Sequence, residues 1–466
     1  MRLTRDGEDT KLALVIAASA AVLGFDFGRW VLATNDDTRF PVLARSALVD
    51  GHWLLPRLNG VPHLNKPPLF AWFIAIVSWP AGSVTQWTVA AASLLAALAL
   101  ALATYWVGRR LYEPGAARRA VLILVTTYGI FGMGRVPLPD VALCAAMTAA
   151  VGAYLAADLD GRRGALIWFY GLLGVAFWIK GLPGLLPLLA ILLHARMAHG
   201  RSGPRRLLSL PGIALLVALL LPWPILATRA DAGRFGEVIV VTDILLWYFR
   251  GRGWSWGLIG EPLAQAVTVL LPWVVALPFA IRESLASAAP ERTRRGQLLL
   301  LLWMAATLVL TGLSYQQRMR YYVPLCAPAA LLVAGWRPRL PALAGGRAFA
   351  AAWLAAALGL GLWQTSELGR HNARTSMAGG LDILREAGDP LYAVDAPELV
   401  FAFYLDRPVV ALNSYAQFRQ LPRIGYAHLL ISPRSLPPID GQEERQVGSA
   451  RVNGREVVIL RAAPPH

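Results

Sequence analysis

Apolar residues in this chain come in uninterrupted blocks of roughly 17–25, the length an α-helix needs to cross about 30 Å of hydrocarbon. Of the 466 residues, 56% are hydrophobic and 15% charged, against about 45–50% and about 25% in a soluble domain. A soluble core cannot absorb that much apolar side chain, so the chain reads as a polytopic α-helical membrane protein. The first block, about Leu12 to Leu32, follows Arg2, Arg5 and Lys11 as a secretory signal would. It runs on through Trp30 and Val31 without a small-residue cleavage site and is read as a retained helix. Further blocks lie at roughly 85–107, 120–134, 141–157, 165–180, 182–198, 209–228, 262–281, 296–313, 321–336 and 347–364, about eleven spans in all.

The short links between blocks allow an orientation test from their Lys/Arg bias. With the N-terminus inside, the inner loops carry Arg109, Arg110, Arg118 and Arg119, then Arg162 and Arg163, then Arg201, Arg205 and Arg206. The last two carry Arg292, Arg294 and Arg295, and Arg337, Arg339 and Arg347. Every inner loop is therefore basic. The outer side receives a long first loop at about 33–84, a second at about 229–261, and the C-terminal segment. The net charge of +16 is accounted for by these span-end arginines. No basic segment interleaved with stacking aromatics points to nucleic acid. Cys144 and Cys326 sit singly in different apolar blocks, which argues against a structural disulfide.

Composition changes after position 364, where Asp, Glu, Asn and Gln return among short apolar runs. Gln446–Val452 and Arg455–Leu460 flank Asn453-Gly454, the pair that type I′ hairpins favour. The expected division is a transmembrane catalytic domain over 1–364 and a small soluble α/β domain over 365–466, which odd span parity puts outside.

The first outer loop carries the chemistry. Asn35-Asp36-Asp37-Thr38-Arg39-Phe40 follows a membrane exit, and Trp53 to Pro68 reads WLLPRLNGVPHLNKPP, with Lys66 held between Asn65 and two prolines. Transfer of a sugar from a polyprenyl phosphate needs a carboxylate to take a proton from the acceptor and cations to stabilise the departing phosphate. Asp36 and Lys66 supply those types at a bilayer surface, with Pro67 and Pro68 stiffening the loop. The residues alone also fit an Asp-Asp helix cap and a lysine anchored to headgroups.

Asp36-Asp37-Thr38-Arg39-Phe40 resembles the Asp-Glu-Ala/Thr-Arg-Tyr signature of bacterial lipid-A aminoarabinose transferases and related dolichyl-phosphate-mannose-protein-mannosyltransferase-like enzymes. The Trp53 to Pro68 run resembles the signature that follows it, and Arg135, Asp140, Lys180-Gly181, Pro222-Trp223, Pro272-Trp273 and Ser314 to Pro324 extend the likeness. The resemblance implies a GT-C fold, with Asp36 as the catalytic aspartate, Lys66 on the carrier phosphate and Asp140 as a second acid beside the site. Asp37 stands for the usual Glu, Phe40 for the usual Tyr, and Asn65 for a Glu that in some members helps bind a divalent ion. Asparagine is a weak metal ligand, so a metal cofactor is doubtful here. His52 and His63 lack the spacing of a zinc site.

Tyr315 to Tyr322 places Arg318 and Arg320 two apart near the membrane plane, able to clamp a phosphate, or else to form an aromatic and basic belt. Lys180 is read either as a buried partner or as an outer-turn residue, and Asp26 and Arg29 as an i,i+3 pair in the first helix. Asp243 and Arg250, in the second long loop, are weaker substrate candidates. The expected function is inverting transfer of aminoarabinose, mannose or a similar sugar from a polyprenyl-phosphate donor to lipid A, lipopolysaccharide or another periplasmic acceptor, at the bacterial inner membrane. Asp36 is catalytic, and Asp37, Arg39, Arg57, Lys66, Asp140, Arg318, Arg320 and Tyr321 bind substrate. A lipid transporter or flippase would show paired repeats and broken helices, which the sequence lacks. A non-catalytic carrier-lipid-binding relative is the other alternative.

Overall fold

A computed structural model describes residues 2–231, 257–286, 289–336, 346–422, 425–438 and 444–464. Asp243, Arg250, Arg337 and Arg339 lie outside them. The protein is a multi-pass membrane protein. Six described helices are long and apolar enough to span a bilayer: Gln86–Leu111, Pro139–Asp158, Leu182–Leu207, Leu210–Ala230, Glu291–Gly312 and Gly346–Ala373. Ile259–Val269 and Trp273–Ala286, bent by 112°, make a seventh if taken as one span, and three shorter apolar helices accompany them. Length and composition therefore do not reach the expected count of about eleven. The 120–134 block folds as two pieces, Pro114–Val125 and Tyr128–Met133.

The chain divides into two compact units. The first comprises 1–25, 64–70 and 93–362, the second 26–63, 71–92 and 363–466. The first is a helical bundle around fully buried Trp303, Tyr322, Phe131 and Phe169. Hydrocarbon offers no partner for a backbone polar group, so each break must be satisfied from within the protein. At the bend between Val269 and Trp273, the Leu271 carbonyl accepts from the Tyr128 N–H at 2.7 Å, and Trp273 Nε1 donates to Thr126 Oγ1 at 3.0 Å. One break thus caps another.

The helix Ala165–Lys180 ends at Gly181, whose φ of 80° is open to glycine and strained for other residues. The chain returns so closely that a Cβ on Gly184 would lie 2.4 Å from the Ala176 carbonyl carbon. This tight turn fixes the end of the helix that carries Lys180.

In the second unit, the helix Asn35–Leu48 buries Phe40, Leu43, Ala44 and Ala47 on one side. A two-stranded hairpin follows, β1 (Arg57–Leu58) and β2 (Val61–Pro62), turning through Asn59 and Gly60 at φ 50° and 85°. The C-terminal part builds a five-stranded sheet in the order β4-β3-β5-β7-β6. Its strands are β3 (Leu391–Val394), β4 (Val410–Leu412), β5 (Ala427–Ile431), β6 (Glu444–Val452) and β7 (Arg455–Ala462). β3 pairs in parallel with β4 and β5, β5 antiparallel with β7, and the β6–β7 hairpin turns at Asn453-Gly454 as the sequence suggests. Phe418, Leu429, Ile431, Val458 and Leu460 form its core.

The first helix runs Arg2–Gly24 rather than through Leu32, so Asp26 and Arg29 lie in the turn beyond it, where the Arg29 N–H donates to the Asp26 carbonyl at 3.0 Å. Asp26, 4% exposed, also accepts a hydrogen bond from Gln364 Nε2 at 2.7 Å.

Because the obstacle at Gly184 is backbone, Gly184→Ala is expected to cost about 1–3 kcal/mol. Gly164→Ala, where a Cβ meets nothing within 4 Å, should stay within about 0.5 kcal/mol of wild type. Thermal unfolding in detergent checks this, and equal effects at both positions would contradict the packing described.

Candidate functional site

The first group of site residues belongs to the second unit. Thr34 is extended, at φ −135° and ψ 154°, and its Oγ1 accepts from the Asp37 N–H at 3.1 Å. This side chain starts the helix Asn35–Leu48 and puts Asp36 and Asp37 in its first turn, where the partial positive charge of the N-terminus favours carboxylates. Pro41 has no N–H to donate to the Asp37 carbonyl, so the helical ladder is interrupted beside the acids.

Asp36 Oδ1 lies 3.1 Å from Arg39 Nη2, and both side chains keep about a third of their surface, 32% and 37%. An exposed i,i+3 pair adds little stability, but it orients the carboxylate while leaving it open to a reactant. Asp37 is half-buried, and burial pushes its carboxyl above the ordinary value while the Thr34 hydroxyl and nearby His371 act against that rise. Phe40 is 4% exposed and serves as core. Arg57 is exposed on β1.

The second group belongs to the first unit. Asp140 opens the helix Pro139–Asp158, and its carboxylate is hydrogen-bonded to the ammonium of Lys180, with side chains only 4% and 11% exposed. Lys180 Nζ is also 5.0 Å from the Tyr321 ring centroid, and the Arg320 guanidinium is 5.7 Å from the same ring. Tyr321 thus has two cations close to its ring, a placement its quadrupole favours. The preceding link is held by Gln317, whose Nε2 donates to the Thr311 carbonyl at 3.0 Å and the Ser314 carbonyl at 2.8 Å. Arg318 is exposed on that link, and Lys66 is half-buried before buried Pro67 and Pro68.

The structure therefore joins Asp36 to Arg39, and Asp140 to Tyr321 and Arg320 through Lys180. The Lys180 link escapes sequence reasoning because its partners lie 40 and 141 positions away. The available signal is a lysine closing an apolar block just before glycine. Arg135 is structural, since it donates to the Phe131 and Val22 carbonyls and lies 3.8 Å over the Phe131 ring. The residues around position 65 do not fit a divalent ion: Asn65 is neutral and exposed, and His52 Nδ1 is 3.3 Å from Ser46 Oγ. Among the described residues no three His, Cys, Asp or Glu side chains are grouped to hold a metal.

Residues 65–227 match the family model described as dolichyl-phosphate-mannose-protein mannosyltransferase. The chain is 28% identical over 334 residues to the undecaprenyl phosphate-alpha-4-amino-4-deoxy-L-arabinose arabinosyl transferase of Pectobacterium carotovorum, covering 66% of this chain and 55% of the relative. It is 30% identical over 327 residues to the protein of the same name from Pseudomonas aeruginosa, again covering 66% and 55%. The chain thus spans about half the length of the curated relatives it matches. The crystal structure of ArnT from Cupriavidus metallidurans bound to undecaprenyl phosphate superposes with a TM-score of 0.81 at 19% identity, covering 97% of this chain and 98% of the other. The oligosaccharyltransferase of Archaeoglobus fulgidus gives 0.56 at 12% identity, covering 87% and 63%. The resemblance seen in the first-loop motifs holds in these comparisons, and the chain has the GT-C fold.

Removing one partner of a buried ion pair strands the other, at about 3–5 kcal/mol. Lys180→Met is expected to lose that much in detergent-solubilised unfolding, and the double replacement Asp140→Leu with Lys180→Met much less. A double variant as unstable as the sum of its singles would contradict the pairing.

The Asp37 shift gives a pH dependence. A carboxyl raised in the folded state binds its proton more tightly there, so stability falls as pH climbs from the ordinary carboxylate value through the raised one. Asp37→Asn should raise the unfolding midpoint at neutral pH, and the gain should vanish in acid, where the carboxyl is protonated in both states. A gain independent of pH would count against burial as the cause.

Proposed function

We propose that this GT-C-fold membrane protein is an inverting glycosyltransferase that takes its sugar from a polyprenyl-phosphate carrier. The observation that carries the reading is the Asp36 carboxylate, oriented by Arg39 and about a third exposed in the first turn of the helix Asn35–Leu48, which is not among the candidate spans of the described residues. The names of the curated relatives, which specify undecaprenyl phosphate-linked aminoarabinose, and the carrier bound by the solved neighbour support this donor class.

In the proposed reaction Asp36 removes the proton from an acceptor hydroxyl, and the acceptor oxygen attacks the anomeric carbon. The bond from that carbon to the phosphate oxygen breaks, and the polyprenyl phosphate leaves with the electron pair. One displacement inverts the anomeric carbon. Lys66 and Arg318 or Arg320 neutralise the leaving phosphate, while Asp140 holds Lys180 charged and ordered beside Tyr321. Arg39, Asp37 and Arg57 contact the sugar or acceptor. Lipid A or a related glycolipid is the acceptor class.

The protein belongs in the bacterial inner membrane, with its N-terminus cytoplasmic and the first loop and the domain over 365–466 periplasmic. The Lys/Arg bias of the loops supports this orientation.

The test is incubation of the purified, bilayer-reconstituted protein with a panel of labelled polyprenyl-phosphate sugars and glycolipid acceptors. Labelled acceptor should appear in step with free carrier phosphate. Carrier binding with no donor consumed would overturn the reading in favour of a binding or transport role.

A further inference from the structure

The segment that leads into the Asp36 helix has little regular structure of its own, yet its backbone groups are satisfied by side chains from far along the chain. His371 Nε2 donates to the Val31 carbonyl at 2.8 Å, and its ring stacks on Trp30 with centroids 3.9 Å apart and planes 14° apart. Asn372 Oδ1 accepts from the Val31 N–H at 3.2 Å, and its Nδ2 donates to the Arg29 carbonyl at 2.9 Å. The Tyr404 hydroxyl accepts from the Leu32 N–H at 3.0 Å. Asn35 completes the set, donating to Glu398 Oε2 at 2.8 Å and accepting from the Leu399 N–H at 3.1 Å. All these residues lie in the second unit.

We propose that His371 is a positioning residue for the sugar-transfer reaction, holding Trp30 and Val31 so that the helix after them presents the Asp36 carboxylate in one orientation. This rests on the function proposed above. A catalytic group has to be held within about 0.5 Å of its productive position, and a misplacement of about 1 Å costs on the order of 10²-fold in rate. Four residues separate Val31 from Asp36, few enough for an anchored carbonyl at one end to fix the other. His371 contributes two distinct contacts, a hydrogen bond and a ring stack, which substitutions separate. Gln keeps an N–H donor near the Nε2 position, and Phe keeps the stack.

The experiment compares His371→Ala, His371→Gln and His371→Phe in the reconstituted full-length protein, reading kcat and donor KM together with amide hydrogen exchange. For His371→Ala, kcat should fall about 10- to 100-fold with donor KM within about twofold of wild type. The amides of Val31 and Leu32 should lose protection while those of β5 and β7 keep theirs. His371→Gln should recover most of kcat and His371→Phe less. Wild-type kcat in His371→Ala, or a loss of protection that spreads through β5 and β7, would overturn the positioning role. If the wild-type protein turns over no donor, the functional reading falls, and exchange at Val31 and Leu32 still decides whether His371 anchors the segment.

Discussion

A backbone amide or carbonyl in hydrocarbon must find its partner inside the protein, and this requirement organises the molecule. It favours helices wherever the chain crosses apolar surroundings, and it makes every interruption a place where side chains or a second interruption have to intervene. The Leu271 carbonyl meeting the Tyr128 N–H is one such repair, and the Gln317 amide closing the end of Glu291–Gly312 is another. The candidate site residues sit at these interruptions. Asp140 follows the turn after Met133, Lys180 precedes the turn at Gly181, and Arg318 to Tyr321 follow Gln317. Asp36 and Asp37 begin a helix that Thr34 caps. Polar groups needed to hold irregular backbone thus occur together with the charged groups available for chemistry.

The charges divide by exposure. Asp140 and Lys180 are buried and neutralise one another, an arrangement that fixes geometry at a cost in desolvation. Asp36 with Arg39 keeps about a third of its surface open and remains available to a reactant. Asp37, beside it, is pushed toward its protonated form by burial. Two adjacent carboxylates therefore have different environments.

Local signals carried much of this. Apolar block length gave the membrane class, the Asn453-Gly454 pair marked the C-terminal hairpin turn, and the adjacent acids Asp36 and Asp37 were legible as a helix start with chemical potential. Read as a resemblance, the same motifs led to the fold that whole-chain comparison supports. What stayed hidden depends on distance along the chain. No local pattern says that Lys180 will meet Asp140, that His371 will stack on Trp30, or that Asn35 will meet Glu398. Asp26 and Arg29, placed by apolar block length in the first helix, lie in the turn beyond its end at Gly24. Among the described residues, six helices are long and apolar enough to cross alone, and other apolar blocks are divided into shorter pieces.

The proposed role of Asp36 as the base is tested most directly by single-turnover sugar transfer by Asp36→Asn, with carrier-phosphate affinity measured on the same preparation. The substitution preserves size and removes the proton acceptor. General base catalysis is worth about 10²–10⁴-fold, so transfer should fall by at least that lower figure while carrier affinity stays near wild type. Transfer at close to the wild-type rate would contradict the account.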